Sequence, residues 1–461
     1  MQPADTIPVP EAGGLPLVRR HLGMIARLGA PVTVARAAVL MLFIVDTAMI
    51  GHASSTGLAD FGLAQSVHVV MLLLGLGMMI GTAVLTAQAL GAGQPQNCGP
   101  IWRVAVRHAL GLGLIFAVLS LAGTRFFLAI GQEPGLAAGA GTVLILLAAG
   151  LPGQLVFVAS TLFLEALGRP RPGLFIMLAA NLANAGLNWL LVFGHLGLPA
   201  LGADGAALAT TLVRWGIAAA IVVHIRRLRD AGTFGIGGDA PPADGRALGR
   251  KLRRLGYPLG LAQGLESMAF SSLTLFAGYL GASAVAGFQI TINVVAFCFM
   301  GAVGIGTATA VRVGHAVGRG DRRDMAYAGW TGLATALAYA GTLALVVALL
   351  PAPLARLFTE DAAVLAIAVP TLLVASISLV PDSAQGVLMG ALRGAGDVWV
   401  PTVMHLCSFA VVMVPAAGLL ALHFGLGTPG LMLGTLAGVL TAAVLLALRF
   451  GVISRRGVAR L

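Results

Sequence analysis

Three carboxylates stand inside long apolar runs of this 461-residue chain. Asp46 lies in Phe43-Ile44-Val45-Asp46-Thr47-Ala48-Met49-Ile50-Gly51, Glu266 in Leu261-Ala262-Gln263-Gly264-Leu265-Glu266-Ser267, and Asp382 directly follows Pro381. If such runs cross a bilayer, an ionised acid at their centre costs roughly 2.5–3.5 kcal/mol even on lenient insertion scales, so each needs a partner or a task. A buried carboxylate can hold a proton, a metal cation or an organic cation, each of which cancels its charge. Proline before Asp382 frees a backbone carbonyl that could help coordinate a cation.

Neutral polar residues accompany the acids at helical spacing. Asn181, Asn184 and Asn188 form an i, i+3, i+7 stripe, Gln289 and Asn293 are i, i+4, and Ser378, Asp382 and Gln385 share one face. These stripes either line a cavity with the acids or glue helices together at ~0.6 kcal/mol per hydrogen bond. Arg36, two turns into the first run, is expected to snorkel to the nearer interface. Glu165 precedes Arg169 by four residues and is expected to pair with it. The histidines, among them His68, His315 and His405, are scattered singly without metal-ligand spacing, and none is assigned a proton role.

The elements that position these residues follow from composition. The chain is 58% hydrophobic and only 10% charged, with a mean hydropathy of +0.95, far outside the range of soluble domains. Apolar runs of about 20 residues, enough to cross roughly 30 Å of hydrocarbon, recur along nearly all of it. Helices are expected at roughly 29–51, 62–89, 104–124, 138–163, 173–194, 205–225, 257–280, 284–311, 326–350, 362–390, 399–422 and 428–449. The runs are too long, and lack the alternation, for a β-barrel. The fold class is therefore an all-α polytopic membrane protein of twelve transmembrane helices.

A net charge of +11 could suggest nucleic acid, but the arginines sit in short loops, and topology explains them without such a partner. They occupy the N-terminus (Arg19, Arg20, Arg27) and the second, fourth, sixth, eighth and tenth loops, for example Arg103, Arg169, Arg226, Arg319 and Arg393. The positive-inside rule then places both termini in the cytoplasm. Cys98, Cys298 and Cys407 are widely spaced, so no disulfide or metal site is expected. No removable signal peptide is expected either; the first helix should direct insertion.

A shift of 227 positions lays Arg27-Leu28-Gly29-Ala30-Pro31 on Arg254-Leu255-Gly256-Tyr257-Pro258, Thr82-Ala83-Val84 on Thr309-Ala310-Val311, and Gly91 and Gly93 on Gly318 and Gly320. Six spans per half make the two repeats parallel, with a binding site expected at their interface near the midplane. The expected organisation is a cytoplasmic tail (1–28), a six-helix lobe (29–226), a cytoplasmic linker (227–254), a second six-helix lobe (255–450) and a cytoplasmic tail (451–461). The stretch from Asp230 to Arg250 is the one long polar interruption between the halves.

With these residues the sequence resembles the multidrug and toxic compound extrusion (MATE) family, in particular its bacterial NorM-like branch. The resemblance is carried by Val45-Asp46-Thr47-Ala48-Met49-Ile50-Gly51, Thr86-Ala87-Gln88-Ala89-Leu90-Gly91-Ala92-Gly93, Asn184-Ala185-Gly186-Leu187-Asn188-Trp189, Val311-Arg312-Val313-Gly314-His315 and Gly390-Ala391-Leu392-Arg393-Gly394-Ala395-Gly396-Asp397. It implies a secondary active exporter in the bacterial inner membrane, a monomer in membrane lipid, exchanging amphipathic or cationic drugs for inward Na⁺ or H⁺ with no further cofactor. Glu266 and Asp382 match the family's acidic cation site, and Asp46 matches the essential acid of the N-terminal lobe with Asn184 beside it. Asn188, Gln289, Asn293 and Ser378 would complete the cavity. Ser378 replaces a tyrosine that related exporters can carry one turn before this aspartate, and Asn188 replaces a second acid found in some members. The coupling ion stays open between Na⁺ and H⁺, with Asp46 the only obvious N-lobe acid.

Competition for one buried carboxylate gives exchange by itself, because cation and cationic drug cannot both hold it. A flippase for lipid-linked precursors is the alternative; it would line its cavity with cationic residues, whereas the deep charges here read as mainly acidic. An enzyme is not expected, since the chain has no HExxH, no recognisable catalytic aspartate pair and no Cys/His constellation. A symmetric channel is disfavoured by the dissimilar acids of the two halves.

Overall fold

The computed structural model describes residues 15–53, 55–237 and 245–456, which are helical with no strand among them. Residues 1–14 and 457–461 of the two expected tails and 238–244 of the linker lie outside the described residues. Twelve long helices follow one another: α1 Leu15–Ala53, α2 Gly57–Gly91, α3 Cys98–Ser120, α4 Pro134–Ala166, α5 Arg171–Leu191 and α6 Gly202–Arg226. The second half holds α7 Gly245–Tyr279, α8 Ala282–Arg319, α9 Arg322–Leu349, α10 Ala362–Ala395, α11 Trp399–His423 and α12 Gly427–Arg456. Eleven of them are long and apolar enough to cross a membrane. The twelfth, α7, is less apolar, because Gln263, Glu266, Ser267, Ser271 and Ser272 interrupt the apolar stretch that follows its basic first turns.

Differences from the expected boundaries have simple causes. Helices α1 and α7 begin at Leu15 and Gly245, well before residues 29 and 257, because apolarity marks only the hydrocarbon crossing and basic turns can continue a helix outside it. Both run on through a proline at the repeat-equivalent positions Pro31 and Pro258. Helix α4 is broken at Ala149–Gly150, where Pro152 opens a new first turn. Helix α11 carries two π segments, Ser408–Met413 and Leu419–His423, flanking Pro415, whose missing N–H leaves the carbonyl four residues back without its α-helical donor.

The linker is less of a tether than its composition implies. Residues 227–237 fold back on the N-terminal half: the Gly99 amide donates to the Phe234 carbonyl at 2.7 Å, and Arg103 Nη1 donates to the Gly235 and Ile236 carbonyls at 3.0 and 3.3 Å. Phe234 and Ile236 are buried. Arg169 pairs with Asp230 through two bonds of 2.9 and 2.5 Å rather than with Glu165, which points into the protein. The Arg169 guanidinium holds the Asp230 carboxyl below the usual carboxylate range, so this pair stays charged at neutral pH and is lost only on acidification through that lowered value.

The repeat is visible in contacts. Between α2 and α8, a Cβ on Gly91 would overlap the His315 carbonyl, and a Cβ on Gly318 would overlap the Gln88 carbonyl. The two pairs are images of each other, because 91 and 318, like 88 and 315, differ by 227. Only glycine lets the two backbones approach this closely. Short helices after α3 and α9, Gly123–Ala129 and Pro351–Arg356, repeat at nearly the same offset. Each half also lends its first helix to the other: α1 packs along α8, and α7 along α2. Leu252, Leu255 and Leu259 of α7 thereby enter an apolar cluster built mainly by α2, α3 and α4.

Leucine at Gly91 or Gly318 would force the two halves apart at their tightest point, an overpacking cost of roughly 1–3 kcal/mol. The thermal unfolding midpoint of detergent-solubilised protein is expected to fall for either variant. Gly111→Leu, which faces open space on α3, should leave the midpoint unchanged.

Candidate functional site

In the N-terminal half, Asp46 of α1 is 1% exposed and meets α5 and α6. One carboxylate oxygen, Oδ1, accepts from Asn184 Nδ2 at 2.5 Å and Asn188 Nδ2 at 2.6 Å, and Oδ2 accepts from the Thr210 hydroxyl at 2.8 Å. Asn184 and Asn188 reach the same oxygen because four residues make about one helical turn. Asn181, on the same stripe, instead donates to the Ala38 carbonyl at 3.0 Å and ties α5 to α1. The stripe is therefore partly glue and partly site. One turn beyond Thr210, buried Arg214 donates from Nη1 to His68 Nε2 at 2.8 Å and to the Leu147 carbonyl at 3.1 Å. Its charge reaches Asp46, so the acid has a compensating cation nearby as well as three donors. His68 accepts this bond through Nε2, which therefore carries no proton. The Asn188 Oδ1 atom is buried without a hydrogen-bond partner, leaving one free acceptor beside the carboxylate.

In the C-terminal half, Glu266 sits midway along α7, with its Oε2 3.4 Å from His405 Nε2 of α11. Asp382 of α10 accepts from Gln385 Nε2 at 3.2 Å and lies within electrostatic reach of both Glu266 and His405. The two acids expected to act together thus feel each other's charge. Ser378 does not join them: its hydroxyl donates to the Ala375 carbonyl of its own helix at 2.7 Å. Gln289 and Asn293 are exposed and bond to each other at 3.4 Å.

Between the halves lies a cavity of about 270 Å³. The N-terminal half lines it with Arg36, Ile80, Val84, Val158 and Leu162; the C-terminal half adds Gln263, Glu266, Thr307, Gln385, Arg393 and His405. Arg36 does not snorkel away. It turns into this space with Nη2 3.8 Å from Glu165, an acid on α4 that holds it there. Arg393 is anchored by its Nε to the Met389 carbonyl at 3.1 Å, and its charge acts on Glu266. The deep charge is therefore mixed rather than mainly acidic. Among the described residues no group of three His, Cys, Asp or Glu side chains could hold a metal ion.

Sequence reasoning missed Thr210, Arg214 and His68 in one half, and Arg36, Arg393 and His405 in the cavity. Arg214 carried a usable signal, since a lone arginine in the middle of an apolar run needs a buried partner. His405 carried none, because its relation to Glu266 depends on how α7 and α11 pack.

Two repeat-related six-helix halves enclosing a cavity with Glu266 on its wall define a polytopic membrane transporter. The chain belongs to the MatE family, whose sequence model matches it twice, over residues 31–190 and 258–418. The two matches begin 227 residues apart, the offset found in the sequence. A probable multidrug resistance protein NorM from Caulobacter vibrioides is 37% identical over 459 residues, covering 98% of this chain and 96% of that protein. The multidrug resistance protein PmpM of Pseudomonas aeruginosa is 31% identical, covering 95% and 93%. In fold, the chain is similar to the Vibrio cholerae MATE transporter VcmN in its bent form, with a TM-score of 0.85 at 19% identity over 96% of this chain and 98% of that one. The protein is a transporter, not an enzyme.

Thr210→Val keeps the shape of the side chain but withdraws the donor to Asp46 Oδ2. Leaving that buried oxygen unmatched costs about 1–3 kcal/mol, and the unfolding midpoint of the purified variant should drop accordingly. Thr441→Val, whose hydroxyl bonds only within its own helix, serves as the control expected to stay near the parental value.

Proposed function

We infer that the protein is a multidrug exporter that antiports amphipathic or cationic drugs against inward Na⁺ or H⁺ by alternating access. The observation that carries this reading is the placing of Glu266 at the wall of a cavity between the two halves, with Asp382 close enough to feel its charge. Two neighbouring carboxylates in a low-dielectric site resist being ionised together, so the pair binds a cation readily and gives it up to a competing one. Drug and coupling ion then exclude each other, which is the requirement for exchange. Gln263, Gln385 and His405 supply polar contacts, while Ile80, Val84, Val158 and Leu162 supply the apolar wall that an amphipathic substrate needs. Asp46, with Asn184 and Asn188, forms a separate site in the N-terminal half. The multidrug resistance names of the NorM and PmpM relatives agree with export of drugs.

Both termini and the segment after α6 are assigned to the cytoplasm of a bacterial cell, with the chain acting as a monomer in the inner membrane. Arg103, Arg169, Arg319 and Arg393 all lie at the end of the bundle where that segment folds, which supports this orientation. The flippase reading gains one observation of its own, since Arg36 and Arg393 both line the cavity and guanidinium groups suit phosphates. Glu165 beside the first and Glu266 near the second offset that charge, which favours the exporter.

The deciding experiment is ethidium efflux from proteoliposomes, with a pH gradient and then a Na⁺ gradient imposed. Parental protein should export the dye under at least one gradient. Glu266→Gln and Asp382→Asn should each abolish gradient-driven export while still inserting, and Asp46→Asn should slow it. Parental rates in both C-lobe variants would make these acids structural. No export by the parental protein would favour the flippase. For orientation, a cysteine replacing Gly237 should react with an impermeant thiol reagent only from the cytoplasmic side.

A further inference from the structure

Two hydrogen bonds cross from one half to the other just beneath the cavity. His315 of α8 donates from Nε2 to the carbonyl of Ala166 at the end of α4, at 2.9 Å; because a carbonyl can only accept, that nitrogen carries the proton. Gln88 of α2 donates from Nε2 to the carbonyl of Gly394 at the end of α10, at 3.3 Å. Gln88 and His315 occupy equivalent positions of the two repeats, 227 residues apart, and their acceptors Ala166 and Gly394 are equivalent to within one residue.

Each donor also heads the same short pattern. Three residues on stand Gly91 and Gly318, and each of these glycines abuts the backbone of the opposite donor, His315 or Gln88. The two turns therefore grip each other reciprocally. Their place relative to the cavity is equally regular. Val84, Leu162 and Val311 line the cavity, and Gln88, Ala166 and His315 each follow one of them by four residues, one helical turn. Arg393, also on the wall, immediately precedes Gly394. All four members of the two bonds thus lie one turn or less beyond the cavity, on the side of the arginine-bearing loops. Gln88 is 5% and His315 8% exposed, so both bonds are shielded from competing water.

We propose that Gln88 and His315 form a two-point latch that holds the cavity shut at the arginine-bearing end, and that both bonds must part for the cavity to open there. The latch rests on the alternating-access reading above and adds the residues that hold one of its two end states. Both act as positioning residues: they bias which face the cavity opens to, not what it binds. Their chemistry suits a contact that opens repeatedly. Each half loses one donor–acceptor pair on separation, and incoming water can replace both partners, so the bonds contribute only modest net stability. The glycines leave no interlocked side chains to extract.

The test uses the full-length protein with Cys98, Cys298 and Cys407 replaced by serine and one reporter, Thr307→Cys, on the cavity wall. Orientation is read on a matched preparation carrying Gly237→Cys in place of Thr307→Cys, which marks the arginine-bearing face, and Thr307→Cys labelling by an impermeant maleimide is timed from that face. The Gln88→Ala/His315→Ala pair should label faster than the parent by on the order of tenfold, the scale that two net hydrogen bonds support. His315→Gln, which keeps a donor, should stay near the parental rate. Unchanged labelling in the double variant overturns the latch. If the double variant does not insert, the single variants Gln88→Ala and His315→Ala decide: each should label about threefold faster than the parent, the scale of one net hydrogen bond, and unchanged labelling in both overturns the proposal. Failure of the underlying reading looks different, because the reporter would then stay unreachable from the arginine-bearing face in every protein while ethidium export proceeds.

Discussion

A charge or an amide in hydrocarbon has no water to fall back on, and this constraint shapes the interior of the protein. Asp46 is the clearest case: it is sealed in α1, yet two asparagines, a threonine and the charge of Arg214 surround it. Arg214 needs its own partners and takes them from His68 and the Leu147 carbonyl. One buried acid therefore recruits side chains from α1, α2, α5 and α6 and a carbonyl from α4. The N-terminal half is organised around a polar centre as much as around its apolar clusters.

The C-terminal half meets the same constraint differently. Glu266 has no comparable ring of donors. It borders the cavity beside His405, with Asp382 and Arg393 within electrostatic reach. Its charge is compensated loosely by groups that a ligand could displace, whereas that of Asp46 is compensated by groups fixed in the wall. Two halves with one ancestry of pattern have thus specialised, one acid held in a closed network and the other left beside open space.

What the sequence disclosed follows the same division. Apolar length revealed the helices, because crossing hydrocarbon demands it, and the 227-residue offset revealed the repeat that reappears in the paired contacts of Gly91 with His315 and Gly318 with Gln88. Local spacing also placed Asn184 and Asn188 together, since both lie on one turn of α5. Spacing could not disclose partners on other helices. Arg169 takes Asp230, 61 residues away, over the nearby Glu165, and Arg36 turns inward because Glu165 waits on α4. Ser378 shares a helical face with Asp382 but spends its hydroxyl on its own backbone, a choice that spacing alone leaves open.

The exchange of first helices between the halves bears on how the chain is made. Helix α1 leaves the ribosome before α8, yet much of the surface it packs against belongs to α8, which is synthesised more than two hundred residues later. Until then its apolar flank must rest against lipid or a passing chaperone. Helix α7 has the opposite history: it is the least apolar of the twelve, yet α2 is already in the membrane to receive it when it emerges. The first half thus provides a template that helps a weakly inserting segment enter, and the second half completes the surface that the first had to leave unfinished. Assembly of the two halves is in this sense shared, since each buries a helix that belongs to the other.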